Sequence, residues 1–386
     1  MTVPLRPKTT SLFASLALLG AGCVAESGPL PVSSFEDSRV DGPVVTAALE
    51  TLRSRARVPA LSMCLVEAAN VVWCTAIGFA DAEAERVVAE DTAFLLASVS
   101  KSVTATLVLQ QRDAGHFSLE TAVDEFLPFA ARHPNGPIRV LDLLTHYGAI
   151  ADSDVMDSFY VDNADPSISL EAVVEGYFTP GGAYYDAADN FQSWSPGEDF
   201  EYSNMGFALA GYVAEYAAGE DLGPHSQTAL FQPLNMTNTS WRLADFSNDA
   251  LARPHVSGNT PVEHYTFADY PNGGLRASAP DMARWVAALL NGGTLDDQQI
   301  LQASTVSEML EPQADDGDGG TALGWFRDDR SDGGWRMHDG SEVGATTSIG
   351  LHPERGVGFV VLTNGDARSG PFADLEAYLM GLAEGL

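Results

Sequence analysis

The chain has 386 residues, long enough for one large domain or two ordinary ones, and 45% hydrophobic content describes a globular protein with a sizeable core. A formal net charge of −33 at pH 7 argues against a nucleic-acid partner, which needs a basic face to neutralise phosphate. It argues equally against adhesion to anionic lipid through basic patches, and is read as a well-solvated acidic shell.

Residues 1–23 read as an export signal. Arg6 and Lys8 form a basic start, Leu12 to Leu19 an apolar run too short to span a bilayer, and Leu19-Gly20-Ala21-Gly22-Cys23 resembles a lipoprotein cleavage site. Gly20 stands where such sites favour leucine, so Cys23 is a lipidation candidate and a possible lipid anchor. The expected location is periplasmic or extracellular. Residues 24–43 are polar and read as a tether; residues 44–386 read as the folded domain, with a helical region at about 130–280.

A helix is expected over Val44–Arg55, then two apolar runs, Ala60–Glu67 and Val71–Phe79, joined at Ala68-Ala69-Asn70 as a β-hairpin. A turn centred on Ala69 sets Cys64 opposite Cys74, and export permits a disulfide between them; the alternative is two separate buried thiols. A helical stretch follows from Val99 to Gln111, ended by Gly115. Further helices are expected at Asp142–Leu144, Glu171–Tyr177, Met205–Ala217 and Asp281–Leu290. Between Phe178 and Phe200 an irregular aromatic segment reads either as a pocket wall or as a packed surface loop. Strands are expected at Leu323–Arg327, Gly334–His338, Thr346–Leu351 and Val357–Thr363, and a last helix at Phe372–Leu382. Strands at both ends with helices between imply an α+β fold, an antiparallel sheet flanked by helices with a mostly helical inserted region. Asp315-Asp316-Gly317-Asp318-Gly319 lacks the twelve-residue calcium pattern, and neither a metal site nor a cofactor is expected.

Chemistry gathers at three short motifs. Of the two lysines, Lys8 lies in the signal and Lys101 is alone in the rest of the chain, three residues after Ser98. On a helix that spacing shares a face. Arginine cannot give up its proton in a protein, whereas a desolvated lysine can, so lysine stands where a base that activates a serine would require it. The second motif is Tyr202-Ser203-Asn204: a tyrosinate beside an ammonium can accept the serine proton, and the asparagine amide can hold a substrate carbonyl. The third is His338-Asp339-Gly340-Ser341, where histidine can orient substrate and an edge strand can offer backbone N–H to an oxyanion. Gly-x-Ser-x-Gly is absent, which disfavours an α/β-hydrolase.

In order and separation, Ser-x-x-Lys, Tyr-x-Asn and His-x-Gly resemble the class C β-lactamase-like serine hydrolases, which include penicillin-binding-protein-like esterases, D-amino-acid peptidases and D,D-carboxypeptidases. Leu143-Leu144-Thr145-His146, Asn272-Gly273-Gly274-Leu275 and Val361-Leu362-Thr363-Asn364-Gly365 extend the likeness. Two departures stand out: Tyr147-Gly148-Ala149 replaces the usual Thr-Ser-Gly, and residues 152–188 are acidic and without a clear counterpart. The resemblance implies Ser98 as acylated nucleophile, Lys101 as its activating partner and Tyr202 as general base and relay. It implies Asn204 and His338 at the substrate, and backbone N–H groups of Ser98 and Ser341, beside Gly340, as the oxyanion hole. The expected function is an exported serine hydrolase acting on ester, amide or β-lactam-like bonds of a small-molecule or peptide substrate, with esters favoured. The alternative is a non-catalytic penicillin-binding-like sensor of the same fold. The sequence does not fix the oligomeric state.

Overall fold

The structure, a computed structural model, describes residues 39–317, 319–328 and 334–386. Cys23 and the expected signal lie outside the described residues. Seven strands, β1 (Ala60–Glu67), β2 (Asn70–Asp81), β3 (Arg86–Val87), β4 (Phe326–Asp328), β5 (Trp335–Glu342), β6 (Ala345–His352) and β7 (Val357–Thr363), form one antiparallel sheet in the order β4-β5-β6-β7-β1-β2-β3. The five long helices are α1 (Gly42–Ala56), α2 (Ser100–Asp113), α3 (Asn204–Ala218), α4 (Ala279–Leu290) and α5 (Ser369–Glu384). The two ends of the chain meet where β1 pairs with β7, from Leu61↔Thr363 to Glu67↔Val357.

β1 and β7 are apolar at nearly every position because both faces of the sheet are covered. Side chains alternate across a strand, so each strand serves two cores. Leu61, Met63, Leu65, Phe359 and Val361 pack with Leu49 of α1 and Leu375 and Leu379 of α5. Cys64, Val66, Val360 and Leu362 face the larger core, which holds Met282, Trp285 and Val286 of α4. On β5, Trp335 and Met337 belong to the α1/α5 side, so alternation turns His338 and Gly340 toward the helical region.

The N-terminal hairpin differs in detail from a turn centred on Ala69. Glu67 pairs with Asn70, which makes a two-residue turn of Ala68-Ala69, with Ala68 at φ 50°. Continued without interruption, that register sets Cys64 opposite Trp73. A bulge between Leu65 and Val66 shifts it by one residue, so Leu65 faces Trp73 and Cys64 faces Cys74. The two sulfurs are bonded across the strands, with Cα atoms 4.1 Å apart.

Two strand boundaries also move. β5 runs on to Glu342, so the His338–Ser341 motif lies within a strand and not before a turn. β4 is short and covers only Trp335–Met337, which leaves the outer edge of β5 beyond Met337 without a partner strand among the described residues. In the aromatic segment, Tyr184 packs on Phe159 and Phe191 on His133 and Phe178, as a packed loop does; Phe200 alone of its rings reaches the cleft described below.

The disulfide closes a short loop, with a sequence separation of 10 between the cysteines. Replacing both cysteines by alanine is expected to cost about 2–3 kcal/mol in a urea titration under non-reducing conditions. Under reductant the wild type loses the cross-link and the difference should narrow.

Candidate active site

Ser98 lies on a single 3-10 turn, Ala97–Val99, that runs directly into α2. Three contacts hold this turn. Leu96 N–H donates to Leu275 O at 2.8 Å, Leu275 N–H to Ser100 Oγ at 3.1 Å, and Thr347 Oγ1 to Leu96 O at 2.6 Å. Ala97 takes φ 50°, a left-handed conformation costly for a residue with a Cβ. α2 is buried along most of its length, and its hydroxyls fasten the surrounding loops: Ser102 Oγ donates to Gly324 O and Thr104 Oγ1 to Pro271 O, both at 2.7 Å.

The turn delivers Lys101 beneath Ser98. Its ammonium is fully buried and donates three hydrogen bonds, to Ser98 Oγ (3.1 Å), Asn204 Oδ1 (2.7 Å) and the backbone carbonyl of Asn272 (2.7 Å). Every ammonium proton therefore has an acceptor, and all three acceptors are neutral. The Asn272 carbonyl is a site group that the side-chain motifs do not reveal. It is aimed by Asp269, which accepts from Asn272 Nδ2 at its own carbonyl and at Oδ2, both at 2.7 Å.

Tyr202 offers its ring to the same ammonium, with Nζ 4.9 Å from the centroid. His146 holds it there. Glu201 N–H donates to His146 O (2.9 Å) and Ser203 N–H to His146 Nδ1 (3.0 Å), which brackets Tyr202 on both sides. The imidazole stacks on the Tyr202 ring at 4.3 Å. His146 takes φ 60° at the end of the short helix Val140–Leu144, a conformation histidine tolerates better than most side chains. The sequence named His146 only as part of a family-like segment, because nothing in it shows which ring it would meet.

Ser203 and Asn204 open α3. Ser203 Oγ accepts from Gly206 N–H as N-cap. Both ends of the Asn204 amide are engaged within the protein, Oδ1 with Lys101 and Nδ2 with Asp152 at 2.7 Å.

β5 approaches Ser98 with its free edge. A Cβ at Gly340 would lie 2.3 Å from Leu96 O and 2.3 Å from Thr347 Oγ1, so only glycine allows the strand so near the Ser98 turn. His338 is buried and donates Nδ1–H to Asp339 O at 2.8 Å, which makes Nε2 an acceptor. That atom has no hydrogen-bond partner among the described residues. Burial first, and the Lys101 charge second, push the His338 pKa down to about 3. The same causes, with His338 added, hold His146 well below its ordinary value. Both imidazoles are neutral dipoles at neutral pH.

Ser98, Tyr202, His338, Gly340 and Ser341 all border one cleft of about 1070 Å³. Because β4 ends early, the cleft wraps around the edge of β5 and also reaches Met337 and Phe372. Phe200 and Phe326 complete its apolar wall. A separate cavity of about 250 Å³, bordered by Trp241 and Tyr270, does not include Ser98. No cluster of residues that would hold a metal occurs among the described residues.

A sequence profile of the Beta-lactamase family matches residues 45–383. The chain belongs to the Beta-lactamase family. Penicillin-binding protein 4 of Amycolatopsis lactamdurans is 26% identical over 322 residues, 78% of this chain and 79% of that one. Protein flp of Staphylococcus aureus is 25% identical over 321 residues, 80% of this chain and 60% of flp, so the chain spans well under the full length of that relative. Among solved structures, an octameric penicillin-binding protein homologue from Pyrococcus abyssi superposes with a TM-score of 0.73 at 22% identity, covering 89% of this chain and 78% of that one. A penicillin-binding protein from Bacillus halodurans gives 0.68 at 21%, covering 86% and 98%. These structures share the fold: a large antiparallel sheet with helices.

Asp269 supplies a pH test of the site's frame. It is buried, its Oδ1 has no partner among the described residues, and burial pushes its pKa up to about 7 from an ordinary 3.8. The fold therefore favours the protonated acid. That contribution is complete below 3.8 and is lost as pH rises toward 7. Asp269→Asn mimics the neutral acid, so its melting temperature should gain on wild type as pH rises from about 4 to about 8. A constant difference across that range would mean that Asp269 is ionised throughout.

Proposed function

We propose that the protein is an exported serine hydrolase that works through an acyl-Ser98 intermediate and favours esters. The observation that carries this reading is the 3.1 Å hydrogen bond between a fully buried lysine and the hydroxyl of Ser98 at the floor of an open cleft. Ser98 Oγ attacks the acyl carbon, and Tyr202, acting as the tyrosinate with its ring against the Lys101 ammonium, takes the hydroxyl proton and becomes the phenol. Backbone N–H groups of Ser98 and Ser341 receive the oxyanion. The intermediate collapses, the C–O bond to the alcohol breaks, and the leaving alkoxide takes the proton from Tyr202. Water then attacks the acyl-enzyme by the reverse relay, and Ser98 leaves with its proton restored.

The Cys64–Cys74 bond supports export, since such bonds persist in oxidising compartments. A lipid anchor at Cys23 belongs to the same proposal and is tested by metabolic labelling with a fatty acid.

Preference for esters rests on charge. β-Lactams and C-terminal peptides carry a carboxylate beside the scissile bond, which a cation on the third motif would suit. His338 is neutral there, and the chain as a whole is strongly acidic. A neutral ester loses nothing from either fact, and its alkoxide leaves more readily than an amine. A short p-nitrophenyl ester should therefore exceed a chromogenic cephalosporin in kcat/KM at one pH. A cephalosporin better by about tenfold, or 1.4 kcal/mol, would defeat the charge argument.

Lys101→Arg keeps the charge but replaces the compact ammonium by a planar donor fork that cannot meet Ser98 Oγ, Asn204 Oδ1 and the Asn272 carbonyl together. Turnover should fall by at least about a hundredfold, the scale of a misplacement at the reacting centre. Wild-type labelling of Ser98 by a fluorophosphonate, followed by sustained product release from an ester, separates turnover from silent capture by a sensor.

A further inference from the structure

Asp152 lies in the acidic segment without a family counterpart, and the reaction above does not use it. It is exposed, yet its carboxylate accepts four hydrogen bonds. Oδ1 accepts from Met205 N–H (3.0 Å) and Ser203 Oγ (3.2 Å), and Oδ2 from Asn204 N–H (2.9 Å) and Asn204 Nδ2 (2.7 Å). The two backbone contacts serve the open end of α3, where unpaired N–H groups and the helix dipole favour a carboxylate. The bond to the Asn204 side chain does something that no cap requires.

An amide side chain has two ends of similar shape and opposite hydrogen-bonding sense. A carboxylate only accepts and an ammonium only donates. With Asp152 on one side and Lys101 on the other, Asn204 must turn Nδ2 to the first and Oδ1 to the second, as observed. A flipped amide would set carbonyl against carboxylate and NH2 against ammonium, both at hydrogen-bond distance. We propose that Asp152 is a positioning residue which, by fixing the Asn204 amide, holds the Lys101 ammonium on Ser98 Oγ.

The geometry explains why orientation matters. Lys101 has three protons and three acceptors. If Oδ1 turns away, the ammonium is repelled from the Asn204 side and shifts toward the Asn272 carbonyl, away from Ser98. The inference rests on the reading of Ser98 and Lys101 as nucleophile and activating partner.

Two variants test it, with rates taken per Ser98 that a fluorophosphonate titrates to completion, so that only folded molecules count. Asp152→Ala removes the acceptor and frees the Asn204 amide to flip. Hydrolysis of p-nitrophenyl acetate should lose about ten- to a hundredfold in kcat with KM within about threefold, the scale of a small misplacement at the reacting centre. The double variant Asp152→Ala, Asn204→Asp presents Lys101 with a carboxylate that accepts in either orientation and needs no fixing. It should recover at least about tenfold of the loss. A helix-capping role alone predicts a lower melting temperature with unchanged kcat in the single variant, or no recovery in the double. Either result overturns the proposal. A wild-type protein that takes no fluorophosphonate and cleaves no ester defeats the reading of Ser98 instead; an active wild type beside an equally active Asp152→Ala defeats the Asp152 role alone.

Discussion

The arrangement depends on one buried ammonium. Taking a lysine out of water costs several kcal/mol unless its protons are satisfied, and Lys101 is fully buried without an ion pair among the described residues. The fold answers with three neutral oxygens drawn from distant parts of the chain: Ser98 before α2, Asn204 at the start of α3, and Asn272 in the turn before α4. The condition for burying the charge and the condition for aligning it with Ser98 are therefore the same. Movement of any of the three elements would cost the ammonium an acceptor.

The surrounding layers keep that convergence in place. α2 buries its apolar residues and uses its hydroxyls as fasteners, so the loops carrying Pro271 and Gly324 are tied to the helix that carries Lys101. On the sheet side the short β4 matters more than its length suggests. By beginning only at Phe326, opposite Met337, it leaves the edge of β5 beyond Met337 without a partner strand among the described residues, and Gly340 lets β5 come down onto the Ser98 turn. An alanine there would drive a methyl group into the Leu96 carbonyl.

Much of this was legible in the sequence. Apolar runs marked β1, β2, β6 and β7, and the lysine that stands alone beyond the expected signal pointed to Ser98, which the fold brings to 3.1 Å from its ammonium. What stayed hidden has a physical cause in each case. The bulge that sets Cys64 opposite Cys74 leaves no distinctive residue, only an extra Val72. The Asn272 carbonyl is backbone, which no side-chain pattern announces. His146 and Asp152 act through contacts with residues far along the chain, and only the folded protein brings them together. The replacement of the family's Thr-Ser-Gly was visible but not interpretable. In the structure Ala149 takes φ 53°, the conformation that a glycine at that place adopts freely. An alanine in that conformation carries local strain that a glycine would not.

The electrostatic design follows from the same burial. Two imidazoles lie near Lys101, and each would be a second cation in a space that already holds one. Desolvation and the ammonium act in the same direction on both, so His146 and His338 remain neutral. Neutral histidine keeps a lone pair, and the two rings use theirs differently. His146 gives Nδ1 to the backbone beside Tyr202, whereas His338 donates from Nδ1 and leaves Nε2 without a hydrogen-bond partner among the described residues. One ring therefore positions Tyr202 and the other lines the cleft without adding charge. The buried floor keeps a single positive centre, and its field acts undivided on the hydroxyl and on the tyrosine ring that share it.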